Sequence, residues 1–166
     1  MHRMSRRPRV SWSRRAVAAA VIAIVPAATL RAQGEGSTRA YLELGGHGLA
    51  YSVNFERDVG AGFDLRLGLG GVPLDGLRYG VAVGMLGWQP TNGTHALHVG
   101  AGAGVVRFDE VFFLEGGPTT TVYGTATVGY RYQPRPRGLI LQIAFTPLFV
   151  DRRVQPWVGV AIGRAF

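Results

Sequence analysis

Ser52, Glu56 and His98 are the residues of this chain from which a hydrolytic centre could be assembled. A serine nucleophile needs a histidine to take its proton and a carboxylate to orient that histidine. Beyond the apolar run that ends at Leu30 there are two serines, and Ser37 lies in a short polar lead-in. Glu43, Glu56, Asp64, Arg66 and Arg131 offer a different chemistry. Shielded from water, they would pair into a network, or line a path for protons or ions if water ran beside them. Gly100-x-Gly102-x-Gly104 has the spacing of a phosphate loop, but Val105-Val106-Arg107-Phe108 continues extended. A nucleotide site needs a helix N-terminus there, so these glycines read as space for Tyr41, Tyr123 or Arg66. His47, His95 and His98 are too scattered for a metal set, and the chain has no cysteine. The residues therefore predict no catalytic centre, no metal and no cofactor.

What positions these groups is a repeated period of two. From Trp157 to Phe166, Val158, Val160 and Ile162 alternate with Gly159, Ala161 and Gly163. Such alternation describes a strand with two unlike faces. Eight segments of this kind are predicted, at about 39–45, 50–57, 62–70, 78–88, 95–106, 121–132, 139–148 and 157–166. Gly, Pro, Asn or Asp stands in every connection, and Asn92-Gly93 is a hairpin signal. No segment after residue 33 keeps a 3.6-residue apolar period, so no substantial helix is expected.

The chain opens differently. Arg3, Arg6, Arg7, Arg9, Arg14 and Arg15 precede an apolar run from Ala16 to Leu30, and Ala32 stands before a polar stretch. A cationic start, a short apolar run and a small residue describe a cleavable signal peptide over residues 1–32, leaving 33–166 as one domain. The whole chain has 18 basic and 10 acidic residues, a net of +8. Seven of the basic residues precede Gln33, leaving 11 against 10, or +1. The basicity that might suggest a nucleic-acid partner thus belongs to the segment expected to be removed.

One face of the predicted strands carries Leu42 and Leu44; Tyr51, Val53 and Phe55; Leu65, Leu67 and Leu69; Tyr79, Val81, Val83 and Met85; and Leu139, Leu141 and Ile143. The other carries Glu43, Glu56, Asp64, Arg66, Gly80, Ala82, Gly84, His98, Arg131 and many glycines. A water-soluble barrel would turn the apolar face inward. Here the polar face is also the face of small residues, which suits the crowded concave side of a narrow barrel in lipid. Phe55, Phe63, Tyr130, Tyr132 and Phe166 would then form one outward aromatic belt, with Tyr51, Tyr79 and Phe145 in the other. The expected fold is all-β, an eight-stranded antiparallel up-and-down transmembrane β-barrel.

Residues 33–166 as a whole resemble the small bacterial outer-membrane β-barrel superfamily. Tyr51-Ser52-Val53-Asn54-Phe55-Glu56-Arg57 is similar to the second strand of many uncharacterised members. Phe145-Thr146-Pro147-Leu148, followed by Pro156-Trp157-Val158-Gly159, is similar to their final hairpin. The resemblance implies the outer membrane as location, outer-membrane lipid and lipopolysaccharide as surroundings, and a monomer. It also implies that Phe166 is the signal read by the barrel-assembly machinery. Arg164 departs from the family's aromatic or aliphatic choice and is expected to snorkel to the headgroups. One class of small barrels removes acyl chains from lipid A, using a histidine-x-serine pair on the lipid-facing surface. In this chain Gly100 stands two residues after His98, and Ser52, Glu56 and His98 share the inward face, so no enzyme is expected.

The longest connection, 107–121, carries Phe112, Phe113 and Leu114 between acids, a candidate contact patch. Arg78, Arg107, Arg152 and Arg153 lie toward the same end, where they could meet lipopolysaccharide phosphates or Asp75, Asp109 and Asp151. The leading functional reading is a filled barrel with a structural, adhesive or envelope-stabilising role through its loops. A narrow transport or sensing barrel for a small solute is the alternative, and a lipid A-modifying hydrolase the third.

Overall fold

A computed structural model of the chain describes residues 37–166 except 76, 91–92, 112–117 and 136. The expected signal peptide and the Phe112–Phe113–Leu114 patch lie outside the described residues. Among the described residues there are ten strands: β1 (Thr38–Gly45), β2 (Tyr51–Gly60), β3 (Phe63–Leu74), β4 (Leu77–Trp88), β5 (His95–Val111), β6 (Thr119–Tyr132), β7 (Gly138–Phe145), β8 (Leu148–Val150), β9 (Arg153–Gln155) and β10 (Val158–Ala165). Each pairs antiparallel with its neighbours. β1 pairs with both β2 and β10, and β5 with both β4 and β6, so the sheet closes on itself.

The wall has eight strands, because β7–β8 and β9–β10 are each one strand interrupted by a proline. Phe145 faces Val158 and Leu148 faces Gln155. This register sets Pro147 opposite Pro156, where neither residue has an N–H to give. The ladder bridges the gap with Thr146 N–H to the Trp157 carbonyl at 2.8 Å and Ala126 N–H to the Pro147 carbonyl at 3.3 Å.

The expected inversion of polarity is present. Leu42, Leu44, Val53, Phe55, Leu67, Leu69, Leu97, Val128, Leu141, Ile143, Val160 and Ile162 all lie exposed on the outer surface, Leu69 to 69 %. Glu43, Glu56, Asp64, Arg66, His98 and Arg131 are buried in the lumen. Phe63, Trp88, Tyr130 and Phe166 form an outward belt at the end holding Thr38 and Phe166, here called proximal. Tyr51, Phe145, Phe149 and Trp157 form another toward the distal end. β5, with 17 residues, exceeds the 9–11 a tilted crossing requires and runs beyond the distal belt.

The structure corrects one strand. Tyr79, Val81, Val83 and Met85 of β4 are buried in the lumen, and Gly80 and Leu86 are outward. Tyr79 therefore belongs to no aromatic belt. The cause is volume. Val83 sits opposite Gly68 on one side and Gly104 on the other, and Met85 opposite Gly102. A Cβ on Gly68 would overlap Val83, and one on Gly102 would overlap Met85. The bulky residues of β4 fill the space those inward glycines leave.

The distal hairpin between β8 and β9 turns through Asp151 and Arg152, both at positive φ (46° and 64°). Two such residues suit an Asn-Gly pair, and a left-handed non-glycine residue costs about 1 kcal/mol. Asp151→Asn with Arg152→Gly should therefore raise stability by about 0.5–1 kcal/mol in urea unfolding from lipid vesicles. Loss of stability instead would mean that the guanidinium contributes more than the backbone strain.

Candidate functional site

The lumen is where Glu43, Glu56, Asp64, Arg66 and Arg131 meet. On the proximal side, Glu56 of β2 is the hub. Arg131 of β6 grips it with both nitrogens, Nη1 to Oε1 and Nη2 to Oε2, each at 2.7 Å. Arg39 of β1 donates to Oε1 at 2.8 Å, and the Tyr41 hydroxyl donates to Oε2 at 2.9 Å. Arg131 also donates to the Gln142 side-chain oxygen of β7 at 3.0 Å and to that of Gln89 at 3.1 Å. Arg39 continues to Asp58 nearer the proximal rim.

A second cluster lies toward the distal side. Arg66 of β3 donates to Glu43 of β1 at 2.6 Å and to the Asn54 side-chain oxygen at 3.1 Å. Asn54 donates to the Ser52 hydroxyl at 2.9 Å, and that hydroxyl donates to Glu43 at 3.3 Å. The Arg66 guanidinium also lies 5.0 Å from the centre of the Tyr41 ring. Back beside the proximal hub, His98 of β5 meets Asp64 of β3 at 3.1 Å. Across the lumen three arginines (39, 66 and 131) face three carboxylates (43, 56 and 64), so the interior carries little net charge.

Glu56, Asp64 and His98 bring three metal-ligating atoms within 4.8 Å of one another. The site is poorly suited to a cation. Both Glu56 oxygens already accept short bonds from two guanidinium groups and a phenol, and an ion would have to displace Arg131. The pairing of His98 with Asp64 was not visible in the sequence, where 34 positions separate them.

Above the ions the filling changes character. Val72, Tyr79, Val81, Val106, Tyr123 and Leu148 form a buried apolar cluster. A Cβ on Gly104 would overlap the Tyr123 ring, and one on Gly163 would overlap Tyr41. Gly104 leaves room for an aromatic ring, and Gly163 for the close approach of the Ala40–Tyr41 main chain. The cluster's distal side is covered by a short 3-10 turn, Gly46–Gly48, which folds into the barrel mouth. Sequence periodicity missed this turn, since Gly45-Gly46 reads as an ordinary tight reversal.

Ser52 is fully buried and faces the lumen, and its partners are Glu43 and Asn54. His98 is engaged with Asp64. The would-be triad is thus dispersed over two polar clusters, on the side of the wall away from acyl chains. His95 points outward at the proximal rim, stacked on Tyr130 with ring centres 5.9 Å apart. Arg164 is also outward, its guanidinium 5.9 Å from the centre of the Phe166 ring, and the Phe166 N–H bonds the Thr38 carbonyl at 2.8 Å.

No protein-family model and no curated protein matches the chain. Solved structures do. The N-terminal β-barrel domain of OprF from Pseudomonas aeruginosa superposes with a TM-score of 0.64 at 11% identity, covering 79% of this chain and 96% of that one. Ail, the attachment invasion locus protein of Yersinia pestis, in complex with the heparin analogue sucrose octasulfate, superposes at 0.52 and 12% identity, covering 80% of this chain and 100% of that one. The outer membrane protein Ail in a phospholipid bilayer nanodisc gives 0.52 at 11% identity, with the same coverage. The fold is that of the small outer-membrane β-barrels. At these identities the likeness is one of architecture, and the lumen chemistry belongs to this chain's own residues.

Removing Glu56 would leave Arg131 and Arg39 buried without their shared anion. Breaking a buried pair in this way costs about 3–5 kcal/mol. Glu56→Ala should show that loss in urea unfolding from vesicles, whereas Glu56→Leu with Arg131→Met should recover most of it. Equal losses in both variants would show that the pair does not act as a unit.

Proposed function

We propose that this protein is a closed, non-conducting barrel of the bacterial outer membrane that stabilises the envelope and displays its distal loops to anionic surface polymers. The observation that carries this reading is the sealed lumen. Arg131 bridges Glu56, Gln142 and Gln89 across the proximal half, Arg66 ties Glu43 to Asn54, and the apolar cluster with its covering turn fills the distal half. An eight-stranded cylinder has an interior that side chains can fill, and these do. The apolar outer surface between two aromatic belts is what hydrocarbon with two polar borders requires.

The same inward placement argues against catalysis. A lipid-modifying site needs its nucleophile on the outer wall, and Ser52 is shut inside. What the protein offers its surroundings is its distal end. Arg78, Arg107, Arg152 and Arg153 are exposed there. Arg78 lies 3.7 Å from Asp75, and Arg107 bonds Asp109 at 2.8 Å, both in solvent, so neither pair is strong enough to withhold its cation. Guanidinium groups match phosphate and sulfate oxygens two at a time. Lipopolysaccharide phosphates are the nearest such groups, and Ail's complex with a sulfated heparin analogue supplies a precedent on this architecture. In this reading the chain inserts as a monomer, with Phe166 as the residue presented to the assembly machinery.

Two measurements test the proposal. Planar bilayers containing the wild-type protein should show no stepwise current; defined conductance steps would overturn the sealed reading and favour a narrow transport barrel. Binding to immobilised lipopolysaccharide should weaken roughly three- to tenfold in Arg152→Ala with Arg153→Ala, and fall with added salt. Unchanged binding in that variant would sink the loop assignment.

A further inference from the structure

The connection between β1 and β2 does not project from the barrel. Its 3-10 turn, Gly46–Gly48, is buried in the distal mouth, and side chains from separate strands hold it there. The Tyr123 hydroxyl of β6 donates to the His47 carbonyl at 2.6 Å. The Tyr79 hydroxyl of β4 accepts from the Ala50 N–H at 2.7 Å. The Trp157 indole donates to the Leu49 carbonyl at 3.2 Å. The fit admits no larger residues, since a Cβ on Gly46 would overlap the Glu43 carboxylate and one on Gly48 would overlap Ser52.

The seat is nevertheless costly. Leu49 is a non-glycine residue at φ 68°, in the left-handed region. The His47 ring is completely buried, and neither of its nitrogens has a hydrogen bond of good geometry. Glu43 lies beside it, with Nδ1 3.4 Å from Oε1, and the Ala126 main chain of β6 is the other polar group it meets. Burying a polar ring without well-formed hydrogen bonds is unfavourable. The turn is thus held by a few directed bonds against two local penalties, a balance that one added charge can tip.

We infer that residues 45–50 are an acid-released stopper of the distal mouth, with His47 as the group that senses pH. The ionisable groups around it are Glu43 of β1, Arg66 of β3, Tyr79 of β4 and Tyr123 of β6; β2 contributes Ser52 and β10 contributes Gly159. Glu43 already shares its charge with Arg66 at 2.6 Å, so a protonated His47 would be a second cation on one carboxylate. Burial holds the seated imidazole below its ordinary value of 6.5; Glu43 opposes this and Arg66 reinforces it. A released ring takes its proton near that ordinary value. The proton therefore binds the released form better. The stopper is seated above about pH 6.5 and is released progressively below it, by at most tenfold per pH unit because one proton is involved. Release bares Ser52, the Glu43–Arg66 pair and the two tyrosines.

The chain has no cysteine, so Ser52→Cys places a single thiol beneath Gly48. The full-length barrel carrying it, in nanodiscs, would be labelled with a charged methanethiosulfonate. The rate at each pH is divided by that of Asp151→Cys, an exposed position, to remove the intrinsic pH dependence of the thiol. The ratio should rise at least threefold between pH 7.5 and pH 5.5, and stay level when His47→Gln is added. Tyr123→Phe should raise it already at pH 7.5. A ratio independent of pH, or equally dependent with His47→Gln, would overturn the inference. Should the cysteine variant not fold, the fluorescence difference between wild type and Trp157→Phe reads the same event, because the indole loses its Leu49 acceptor on release. A difference that changes with acid in wild type and not in His47→Gln supports the stopper, and one that does not change refutes it.

Discussion

Hydrocarbon offers no partner to a peptide N–H or C=O, and the rest of this structure follows from that constraint. A sheet in lipid must close so that no edge is left. Here closure rests on one seam that joins distant parts of the chain, β1 to β10, while the other strands of the wall pair with neighbours in sequence. With eight strands the enclosed space is too narrow to stay open and too wide to leave empty, so inward side chains must match one another in volume and charge. Bulk is exchanged across the wall rather than along it. Where β3 and β5 turn glycine inward at 68, 102 and 104, β4 and β6 turn Val83, Met85 and Tyr123 inward to fill the space.

The same accounting explains why the lumen divides into two materials. The distal third, where β5 extends past the aromatic belt, is packed with Val72, Val81, Val106 and Leu148, much like the core of a soluble domain. The remainder, at the depth of the apolar outer band, is packed with ions. Charges are tolerable there because almost every one is gripped by several partners. Glu56 receives four short bonds, and Arg66 divides its donors between a carboxylate and an amide. The turn at 46–48 closes the apolar end with main-chain carbonyls, to which tyrosine hydroxyls and an indole can donate.

Much of this was legible in the sequence because alternation and polarity coincide on most strands. Through the middle of β1, β2, β3, β6 and β7 the polar residue is the inward one, so period-two reading assigned Glu43, Glu56, Asp64, Arg66 and Arg131 to one face, and the structure buries all five together. Tyr79-Gly80-Val81-Ala82-Val83-Gly84-Met85 defeated that reading because both of its faces are apolar. Only the volume available opposite Gly68 and Gly104 decides which way it turns, and that is set by the two flanking strands rather than by this segment's own pattern. Partners within the lumen were hidden for the same reason. Glu56 and Arg131 are 75 positions apart, and nothing local in either segment names the other. The inward turn at His47 was hidden still further, since its seat is made by tyrosines on β4 and β6 and a tryptophan just before β10.

Buried ion pairs seldom add much net stability, because desolvation offsets most of the attraction. Their contribution here is to register. A strand that slips by one residue turns its whole inward set outward. For β2 that would carry Ser52, Asn54 and Glu56 into hydrocarbon and strand Arg131 and Arg39 in the lumen without an anion. An apolar filling would penalise such a slip only through packing. Ions penalise it by the cost of a bare charge in lipid, at least several kcal/mol. Because Glu56 bonds residues on both β1 and β6, its carboxylate checks β2 against strands on either side of the closed ring. The charges that occupy the lumen are in this sense also what selects the one alignment in which eight strands can close.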